Sequence, residues 1–564
     1  MANSTYELNN NNALQGVAAL NEFEELTKNP VEISNNLLMQ IVRDNENTEY
    51  GKKYNFKKIK SYADYKKNVP VVVYDDIGEL VNRMKDGEKN ILTAYDVKNM
   101  LITSGTDKTP KAIPITVNQL AATVKYTNIP NGVLANNIDE KWKNGHMFSP
   151  TEAGCKKLPS GIVFGSASSV VTNSAKSGIE PYATIVKSLY TSPATALTPH
   201  EGADSIYVHI RFALMQKDVT GVVCAFSSYL IQNLLYIYNN YELLINDIEK
   251  GEISSSINLS EDYRQELMAL IEPMPERAAE LREVFKNGPD VKFMKLIWPD
   301  LMYVRCIGGD GFSVYTDMMK NRFLGEDVPI IYSGIVSSEG LFSQPVAIND
   351  LNSVLCVGGI FLEFLPAEFE DDVSKAVDIS EVEVGRDYEL IITNLSGFYR
   401  YRIGDVVKIT GYHNATPTVQ FMYRTGKTIN MVGEKTTESA LKITVNETAA
   451  ELGFELLDYA VYPDRSSMPA KYVFLIETYS EKRFSIKKEK LCAVLKEKLY
   501  KANAIMPLVA EHLLPPEVYF EQPETQFLYR DLMVMKGAAP SQVKPVHVIT
   551  NEEQRKFFMR MREE

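Results

Sequence analysis

The chain has 564 residues, of which 45% are hydrophobic and 24% charged, a composition typical of a soluble globular protein. A single hydrophobic core does not grow to this size, so two or more domains are expected. The formal net charge is -13. Nucleic-acid and anionic-membrane partners are not expected, because both require a basic surface, whereas a small anionic ligand needs only a few local donors.

The five cysteines are widely spaced and include no Cys-x-x-Cys pair, and the six histidines are equally scattered. This pattern predicts neither a disulfide framework nor a zinc site. The first residues, "MANSTYELNNNN", lack the basic and apolar segments of a secretory signal. A reducing, cytoplasmic location is therefore expected.

The N-terminal residues 1–12 are polar and are predicted to be disordered. From Ala13 to Arg43 the apolar residues recur at helical spacing. The stretch Gly221–Tyr238 is the nearest approach to a membrane span, but serine, glutamine and asparagine side chains recur along one side of it. A buried helix is therefore expected there rather than a membrane span.

The helical pattern of Ser260–Asn287 contains Pro273 and Pro275, which predict a break into two helices. Ile297–Ile409 is rich in β-branched and aromatic residues and is predicted to form strands. Helical and strand patterns alternate again after Thr436. We place the domain boundary between residues 428 and 429, which gives a body of residues 13–428 and a C-terminal lid of residues 429–564.

The first candidate for chemistry is the stretch "LITSGTDKTPKAIPIT", Leu101–Thr116, in which short strands flank a polar bend. Backbone N–H groups, hydroxyls and a lysine in such a bend can bind phosphate oxygens. The residues concerned are Thr103, Ser104, Gly105, Thr106 and Lys111. Taken alone, the stretch is equally well explained as a solvated Ser/Thr turn.

A second phosphate-like pattern, "RTGKT" at Arg424–Thr428, resembles the end of a P-loop. A P-loop requires a glycine five residues before the glycine of Gly-Lys-Thr. That position is occupied by Phe421, so a P-loop nucleotidase is not expected.

Two further stretches carry carboxylates beside turn residues. The stretch "IYSGIVSSEG" ends in Ser337, Ser338 and Glu339, and a glutamate facing a phosphate loop could hold Mg²⁺. In "YRYRIGDVVKITGYH", Asp405 follows Gly404 at a predicted strand-to-strand turn, where a carboxylate can accept both ribose hydroxyls. A solvated glutamate and a simple Gly-Asp hairpin are the alternatives.

The last candidate is "KGAAPSQVKPVHV", Lys536–Val548, whose small residues and prolines predict a loop. Lys544 lies within it. On its own this residue is best explained as a surface lysine.

Taken together, these stretches follow the order found in adenylate-forming enzymes. Several longer segments, among them "NENTEYGKKYNF", "KLIWPDL", "GFYRYRIGDVVKITGYH" and "GAAPSQVK", extend the match from about Phe23 to Val548. The chain resembles the Gretchen Hagen three family of auxin- and jasmonate-conjugating acyl-acid amido synthetases. The resemblance implies the α/β luciferase-like adenylate-forming fold: a large N-terminal body with a distorted β-barrel, and a small mobile α+β C-terminal domain.

The resemblance also implies an ATP- and Mg²⁺-dependent ligase that adenylates a small carboxylic acid and transfers the acyl group to an amine such as an amino acid. Lys544 and Glu339 would be catalytic, with Glu339 also binding the metal. The implied nucleotide-binding residues are Thr103, Ser104, Gly105, Thr106, Lys111, Ser337, Ser338, Asp405 for the ribose, Arg424 near the hinge, and Lys435 from the lid.

Three positions depart from the family pattern. Asp107–Lys108 replaces the last two residues of the family's phosphate loop, Ile335 replaces a tyrosine, and Pro545–Val546 replaces Pro-Arg. These departures leave open a degenerate member that binds nucleotide or acyl ligand with little turnover. An acyl-CoA ligase is a further alternative. Candidate walls of the acyl pocket are "VNQLAATVKYT", "YVHIRFAL" and "GVVCAFSSYL".

Overall fold

The computed structural model describes most of the chain. The described residues are 2–102, 111–152, 154–165, 182–200, 202–309, 312–370, 372–425, 428–432, 434, 436–503, 505–538, 540 and 543–563. Asp107, Lys108, Lys435 and the predicted phosphate-binding residues Thr103 to Thr106 lie outside them.

Helices and strands alternate along the described chain. The first third contains α1 (Ala2–Leu26), α2 (Pro30–Asp44), α3 (Glu49–Lys53), α4 (Tyr62–Asn68), α5 (Tyr74–Lys85), β1 (Val97–Ile102), β2 (Ala112–Thr116), α6 (Val117–Thr127), α7 (Ile129–Asn137), β3 (His146–Phe148), β4 (Cys155–Lys157), β5 (Val163–Gly165) and α8 (Tyr182–Leu189). The middle contains α9 (Ser205–Met215), β6 (Val219–Phe226), α10 (Ser227–Lys250), α11 (Glu261–Met268), α12 (Pro275–Val284), α13 (Phe293–Ile297), β7 (Tyr303–Ile307), α14 (Ser313–Met318), β8 (Ile330–Tyr332), β9 (Val336–Ser337), β10 (Gly340–Leu341), β11 (Ser343–Gln344), β12 (Ser353–Leu355), β13 (Phe361–Pro366), β14 (Asp387–Thr393), β15 (Tyr401–His413) and β16 (Thr416–Arg424). The C-terminal region contains α15 (Glu438–Leu452), β17 (Asp458–Asp464), β18 (Lys471–Glu477), α16 (Lys488–Ala502), α17 (Met506–Val509), β19 (Glu517–Glu521), α18 (Thr525–Met535) and α19 (Glu552–Arg560).

The N-terminus forms a helix, so the prediction that residues 1–12 are disordered is wrong. The Asn9 side chain is buried, and its Nδ2 donates to the carbonyl oxygens of Lys143 and Gly145, each at 3.0 Å. The Thr5 hydroxyl donates to the Ser188 carbonyl at 3.0 Å. These polar side chains are satisfied by backbone groups more than a hundred residues away, which composition alone does not reveal.

The stretch expected to be one buried helix is divided between two elements. Val219–Phe226 is β6, and the helix α10 begins at Ser227. β6 lies inside the parallel sheet β3-β6-β7-β8. A strand buried on both faces is apolar throughout, so its sequence pattern is the same as that of a buried helix. Among the described residues, no helix combines the length and the apolar character needed to cross a membrane.

The strands predicted between Ile297 and Ile409 supply most of a six-stranded sheet with the order β11-β12-β16-β15-β14-β13. The two edge strands, β11 and β13, are not paired with each other in the described chain. The distorted barrel implied by the resemblance is thus not closed here. Asp405 lies within the continuous strand β15 rather than at a turn, and the chain reverses at Asn414, whose φ is 52°.

Two smaller sheets complete the structure. β1 and β2 form an antiparallel pair, as expected for strands that flank the 103–110 bend, within the order β2-β1-β5-β4. In the C-terminal region the sheet β17-β18-β19 packs with α15 and α16 around a core that includes Leu441, Phe474 and Leu495. The predicted pair of helices on either side of Pro273 is confirmed as α11 and α12.

The contact between α1 and α7 depends on glycine. A Cβ atom added to Gly132 would lie 2.3 Å from the carbonyl oxygen of Gly16. The two helix backbones therefore touch where neither residue has a side chain, which fixes the N-terminal helix against the rest of the structure.

We expect Gly132→Ala to lower the free energy of unfolding by about 1–3 kcal/mol, because the added methyl group forces the two helices apart. Urea unfolding measures this change. The matched control is Gly78→Ala in α5, where the new methyl group would contact Tyr74 at 3.5 Å. This control should be neutral or slightly stabilising. Equal stability of both variants would show that α1 is not docked as described.

Candidate active site

One large cleft contains the described residues that the sequence singled out. Its volume is about 2640 Å³, above the roughly 300–1,000 Å³ of a typical small-molecule pocket, so it has room for two substrates. The predicted site residues that line it are Lys111, Ser337, Ser338, Glu339, Asp405, Arg424 and Lys544. Segments far apart in sequence therefore meet at one place.

Glu339 lies at the turn of a two-stranded hairpin formed by β9 and β10, in which Ser337 pairs with Gly340. The Ser337 hydroxyl donates to Glu339 Oε2 at 2.7 Å, and it accepts the Glu339 backbone N–H at 3.1 Å. Asn394 Nδ2 donates to the Glu339 carbonyl at 2.9 Å. The carboxylate is 5% exposed and is therefore held in one orientation at the cleft surface.

Asp405 and Arg424 lie directly opposite each other on β15 and β16. Arg424 Nε donates to Asp405 Oδ1 at 2.7 Å. The neighbouring Asp405 charge raises the pKa of Arg424 well above its usual value. The residues predicted separately for the ribose and for the hinge thus form one ion pair, in which the arginine fixes the direction of the carboxylate.

The bend before Asp405 requires glycine. Gly404 has a φ of 81°, and a Cβ atom there would lie 2.8 Å from Thr425 Oγ1. A residue with a side chain would be strained in this conformation and would push β16 away. Gly404 therefore permits the approach that brings Arg424 to Asp405.

Two tyrosines that sequence reasoning missed face the Glu339 carboxylate. Burial raises the pKa of Tyr74 and of Tyr401, and the Glu339 charge raises both further. Tyr74 also bonds both backbone groups of Ala112, at 2.9 and 3.1 Å, and its ring lies 5.6 Å from Lys111 Nζ. Tyr401 stands in the "YRYRIGD" stretch, which was the available signal, whereas nothing in the sequence around Tyr74 indicates a site.

Lys544 lies in the loop between α18 and α19, as predicted, and reaches the opposite wall of the cleft. Its Nζ is 5.3 Å from the centre of the Phe226 ring. That ring stacks on Phe312 at 5.1 Å. Of the candidate acyl walls, α9 and β6 contribute to the cleft through Ile206 and Ala225, whereas α6 contributes no residue to its described lining.

A buried histidine lies three residues beyond Lys544. His547 Nδ1 is 2.8 Å from Glu438 Oε1, and Nε2 is 3.1 Å from Asp458 Oδ1. Because carboxylates only accept hydrogen bonds, both ring nitrogens must donate, which requires the imidazolium form. Burial alone lowers the pKa of His547, but the two carboxylates outweigh it and raise the pKa to about 9.

No group of three or more His, Cys, Asp or Glu side chains in the described chain could hold a metal ion by itself. Glu339 nevertheless fits a Mg²⁺ ion. Magnesium is usually bound by one or two carboxylates together with substrate phosphates, rather than by a complete protein cage. The Glu339 carboxylate is oriented by Ser337 towards the same cleft as Asp405.

Family models match three consecutive parts of the chain. The GH3 family N-terminal domain matches residues 19–330, the central domain residues 353–424 and the C-terminal domain residues 439–553. The chain belongs to the GH3 family. The resemblance inferred from its motifs is thereby confirmed.

Curated GH3 relatives match along almost their whole length. An indole-3-acetic acid-amido synthetase, GH3.4 of Arabidopsis thaliana, is 26% identical over 94% of this chain and 91% of its own. The 4-substituted benzoates-glutamate ligase GH3.12 of the same plant is 26% identical over 93% of each chain. GH3.8 of Oryza sativa subsp. indica, an indole-3-acetic acid-amido synthetase, is 26% identical over 95% of this chain and 91% of its own.

Solved structures show the same mixed α/β fold. The GH3.15 acyl acid amido synthetase superposes with a TM-score of 0.83 at 24% identity, covering 97% of this chain and 96% of that chain. A 2-hydroxyisobutyryl-CoA ligase in the postadenylation state gives a TM-score of 0.56 at 13% identity, covering 94% and 91%. This GH3 chain thus has the fold of GH3.15 and is similar in fold to an adenylate-forming ligase.

The charge on His547 predicts a pH dependence of stability. Its pKa is about 9 in the folded protein against 6.5 ordinarily, so its stabilising contribution is complete below about pH 6.5 and is lost as the pH rises through about 9. We expect His547→Gln to remove on the order of 3 kcal/mol at pH 6 and much less at about pH 10. Urea unfolding across this range measures the difference.

The control for this measurement is His512→Gln, because the His512 side chain is 63% exposed. We expect that variant to differ from the unmodified protein by the same small amount at every pH. A destabilisation by His547→Gln that does not change with pH would contradict a charged His547.

Proposed function

We propose that the protein is an ATP-dependent acyl-acid amido synthetase that joins a small carboxylic acid to an amine such as an amino acid. The observation that carries this proposal is the convergence of Glu339, Asp405 and Lys544 on one cleft in a chain of the GH3 family. Curated relatives of matching length bear amido synthetase or ligase names.

The reaction has two steps. A carboxylate oxygen of the acid attacks the α-phosphorus of ATP, the bond to the bridging oxygen breaks, and pyrophosphate leaves with that electron pair. An acyl-adenylate remains, in which AMP is a good leaving group. The amine then attacks the acyl carbon, AMP departs, and the ammonium proton is lost to give the amide.

Each cleft residue has a role that its position supports. Asp405, with Oδ1 held by Arg424, has Oδ2 to accept a ribose hydroxyl. Ser338 lines the nucleotide side beside Ser337 and Glu339, and Lys111 approaches the phosphates. We assign the further phosphate contacts to Thr103, Ser104, Gly105 and Thr106, and a contact from the hinge to Lys435.

The Glu339 carboxylate would hold Mg²⁺ together with the phosphates. When bound, the ion neutralises phosphate charge and orients the triphosphate. The protein's own contribution is to keep the Glu339 oxygens in place through the Ser337 hydroxyl and the Asn394 amide. Tyr74 and Tyr401 narrow the space around the carboxylate and limit its access to water.

Lys544 would supply positive charge where negative charge develops on the α-phosphate. A contact that is stronger in the transition state than in the ground state accelerates the reaction. We propose that residues 429–564 form a small mobile lid that carries Lys544, with residues 13–428 as the body. The break between the family's central and C-terminal domains, at residues 424 and 439, supports a boundary there.

The alternatives left open by the sequence are less well supported. The match to a CoA ligase is at 13% identity and concerns the fold alone. A binding protein without turnover would not need Glu339, Asp405 and Lys544 to meet in one cleft. We propose a reducing, cytoplasmic setting for the reaction, since all five cysteines are free thiols.

We expect Lys544→Ala to slow adenylation about a hundredfold or more, because it removes a cation that acts on the developing phosphate charge. Pyrophosphate and hydroxamate are measured after incubation with Mg·ATP, hydroxylamine and an acid panel that includes indole-3-acetic acid and 4-hydroxybenzoic acid. Repeating the assay with amino acids or with CoA in place of hydroxylamine identifies the acceptor.

The control for Lys544→Ala is Lys501→Ala on α16, an exposed lysine paired with Glu447 at 3.3 Å. We expect it to leave the rate unchanged. Release of pyrophosphate by the Lys544 variant at the unmodified rate would rule out the assigned role. If the unmodified protein gives neither product with any acid, the proposed function itself is wrong.

The phosphate loop makes a second prediction. A carboxylate about 4 Å from a phosphate repels it by roughly 1–4 kcal/mol, depending on exposure. We therefore expect replacement of the loop residues by Asp107→Thr with Lys108→Gly to tighten Mg·ATP binding. Isothermal titration calorimetry measures the dissociation constant. An unchanged or weaker affinity would show that the departure at this loop does not weaken ATP binding.

A further inference from the structure

The C-terminal region docks on the body through a buried polar contact. The Tyr315 hydroxyl, on α14, donates to Asp458 Oδ2, on β17. Tyr315 is 1% exposed and Asp458 2% exposed. Val314, the residue before Tyr315, packs into the hydrophobic core of the C-terminal region. The end of α14 is therefore inserted between the two parts of the chain.

Asp458 continues this contact towards Lys544. Its Oδ1 accepts from His547 Nε2, and His547 Nδ1 donates to Glu438 at the start of α15. The His547 ring also stacks on Tyr459 at 4.5 Å with an interplanar angle of 8°. Tyr315, Asp458 and His547 form a continuous chain of hydrogen bonds from the body to the segment that carries Lys544.

That segment is held rigidly behind Lys544. Gln526 Nε2 donates to the Val546 carbonyl at 2.8 Å, and Gln526 Oε1 accepts the Val546 N–H at 2.9 Å. The His547 carbonyl accepts from the Val461 N–H at 2.9 Å. With residues 546 and 547 fixed to α18 and β17, a change in the orientation of β17 moves Lys544 with it.

We propose that Tyr315, Asp458 and His547 are positioning residues that fix the lid in the orientation in which Lys544 reaches the cleft, and that they serve adenylation rather than amide formation. This inference rests on the proposed function, because it assigns the three residues to the step in which Lys544 acts.

The surroundings of Asp458 show why this contact matters. Asp458 and Glu477 are register partners on β17 and β18, and Glu477 and Glu521 are partners on β18 and β19. Burial, followed by the Asp458 charge, raises the pKa of both glutamates well above their usual range. Asp458 is thus the member of this row that keeps its charge, because Tyr315 and His547 donate to it.

A rotation of the lid that withdrew Lys544 would separate Asp458 from Tyr315. A buried carboxylate that loses a donor is destabilised, so this contact favours the orientation seen here. A second contact between the two parts supports the same orientation: Arg530 donates to Gln232 and lies 5.0 Å above the Tyr229 ring. The Tyr315 hydroxyl can nevertheless be removed alone, without disturbing this second contact.

The test is Tyr315→Phe, which keeps the ring and removes the hydroxyl. We expect about a tenfold to hundredfold slower pyrophosphate release with Mg·ATP and either indole-3-acetic acid or 4-hydroxybenzoic acid, because a hydrogen bond to a charged group is lost. Amide formation from the separately prepared acyl-adenylate of the same acid should proceed at the unmodified rate. Amide hydrogen exchange should become faster in Ser313–Met318 and in Asp458–Asp464.

The matched control is Tyr62→Phe, which removes a hydroxyl bonded to the Glu363 carboxylate at 3.0 Å within the body. We expect this control to leave both half-reactions, and exchange in the two segments, unchanged. A merely structural role of Tyr315 would slow both half-reactions equally or neither, and either result would overturn the inference.

Hydrogen exchange separates this inference from the proposed function because it requires no substrate. Unchanged exchange in both segments of the Tyr315 variant would overturn the positioning chain even if the protein is an active synthetase. Conversely, if the unmodified protein releases no pyrophosphate with any acid, the synthetase proposal fails, and the assignment of the three residues to adenylation is overturned with it.

Discussion

A buried carboxylate, Asp458, joins the C-terminal region to the body, and the place of Lys544 in the cleft depends on it. Removing one partner from a buried charge costs about 3–5 kcal/mol, far more than breaking an exposed ion pair. Asp458 satisfies this constraint with a hydroxyl from α14 and an imidazolium from its own region. The two parts of the chain therefore have a defined relative orientation, and the loop after α18 faces the cleft.

The opposite wall of the cleft is built differently, from strand ends and tight turns. Glu339 is held by the hydroxyl and backbone of its own hairpin, and Asp405 by an arginine from the adjacent strand. Such short-range restraints keep each carboxylate in place before a substrate arrives, which is the condition for electrostatic catalysis. A rigid wall facing a lysine on a separable region suits a reaction in which one cation acts in only one of two steps.

Sequence patterns predicted this site better than they predicted the local structure around it. Glu339, Asp405 and Lys544 were chosen from the order of short motifs, and all three line the cleft. The turn expected at Asp405 is instead a bulge within β15, because Gly404 adopts a positive φ without ending the strand. The helix expected from residue 221 begins at Ser227, because an apolar run has the same pattern in a buried strand and in a buried helix.

By itself the sequence determined the chemistry that the chain can offer: hydroxyls and a carboxylate after β8, a glycine before Asp405, and a lysine in a proline-rich loop. It also determined the helices around Pro273, because proline acts on its own backbone. Only the tertiary structure decided the partners. Arg424 for Asp405, Tyr315 for Asp458 and the carbonyls that bind Asn9 all come from distant segments. Local patterns describe each residue's nearest neighbours in the chain, whereas the charge of His547 and the position of Lys544 arise from contacts that exist only after folding.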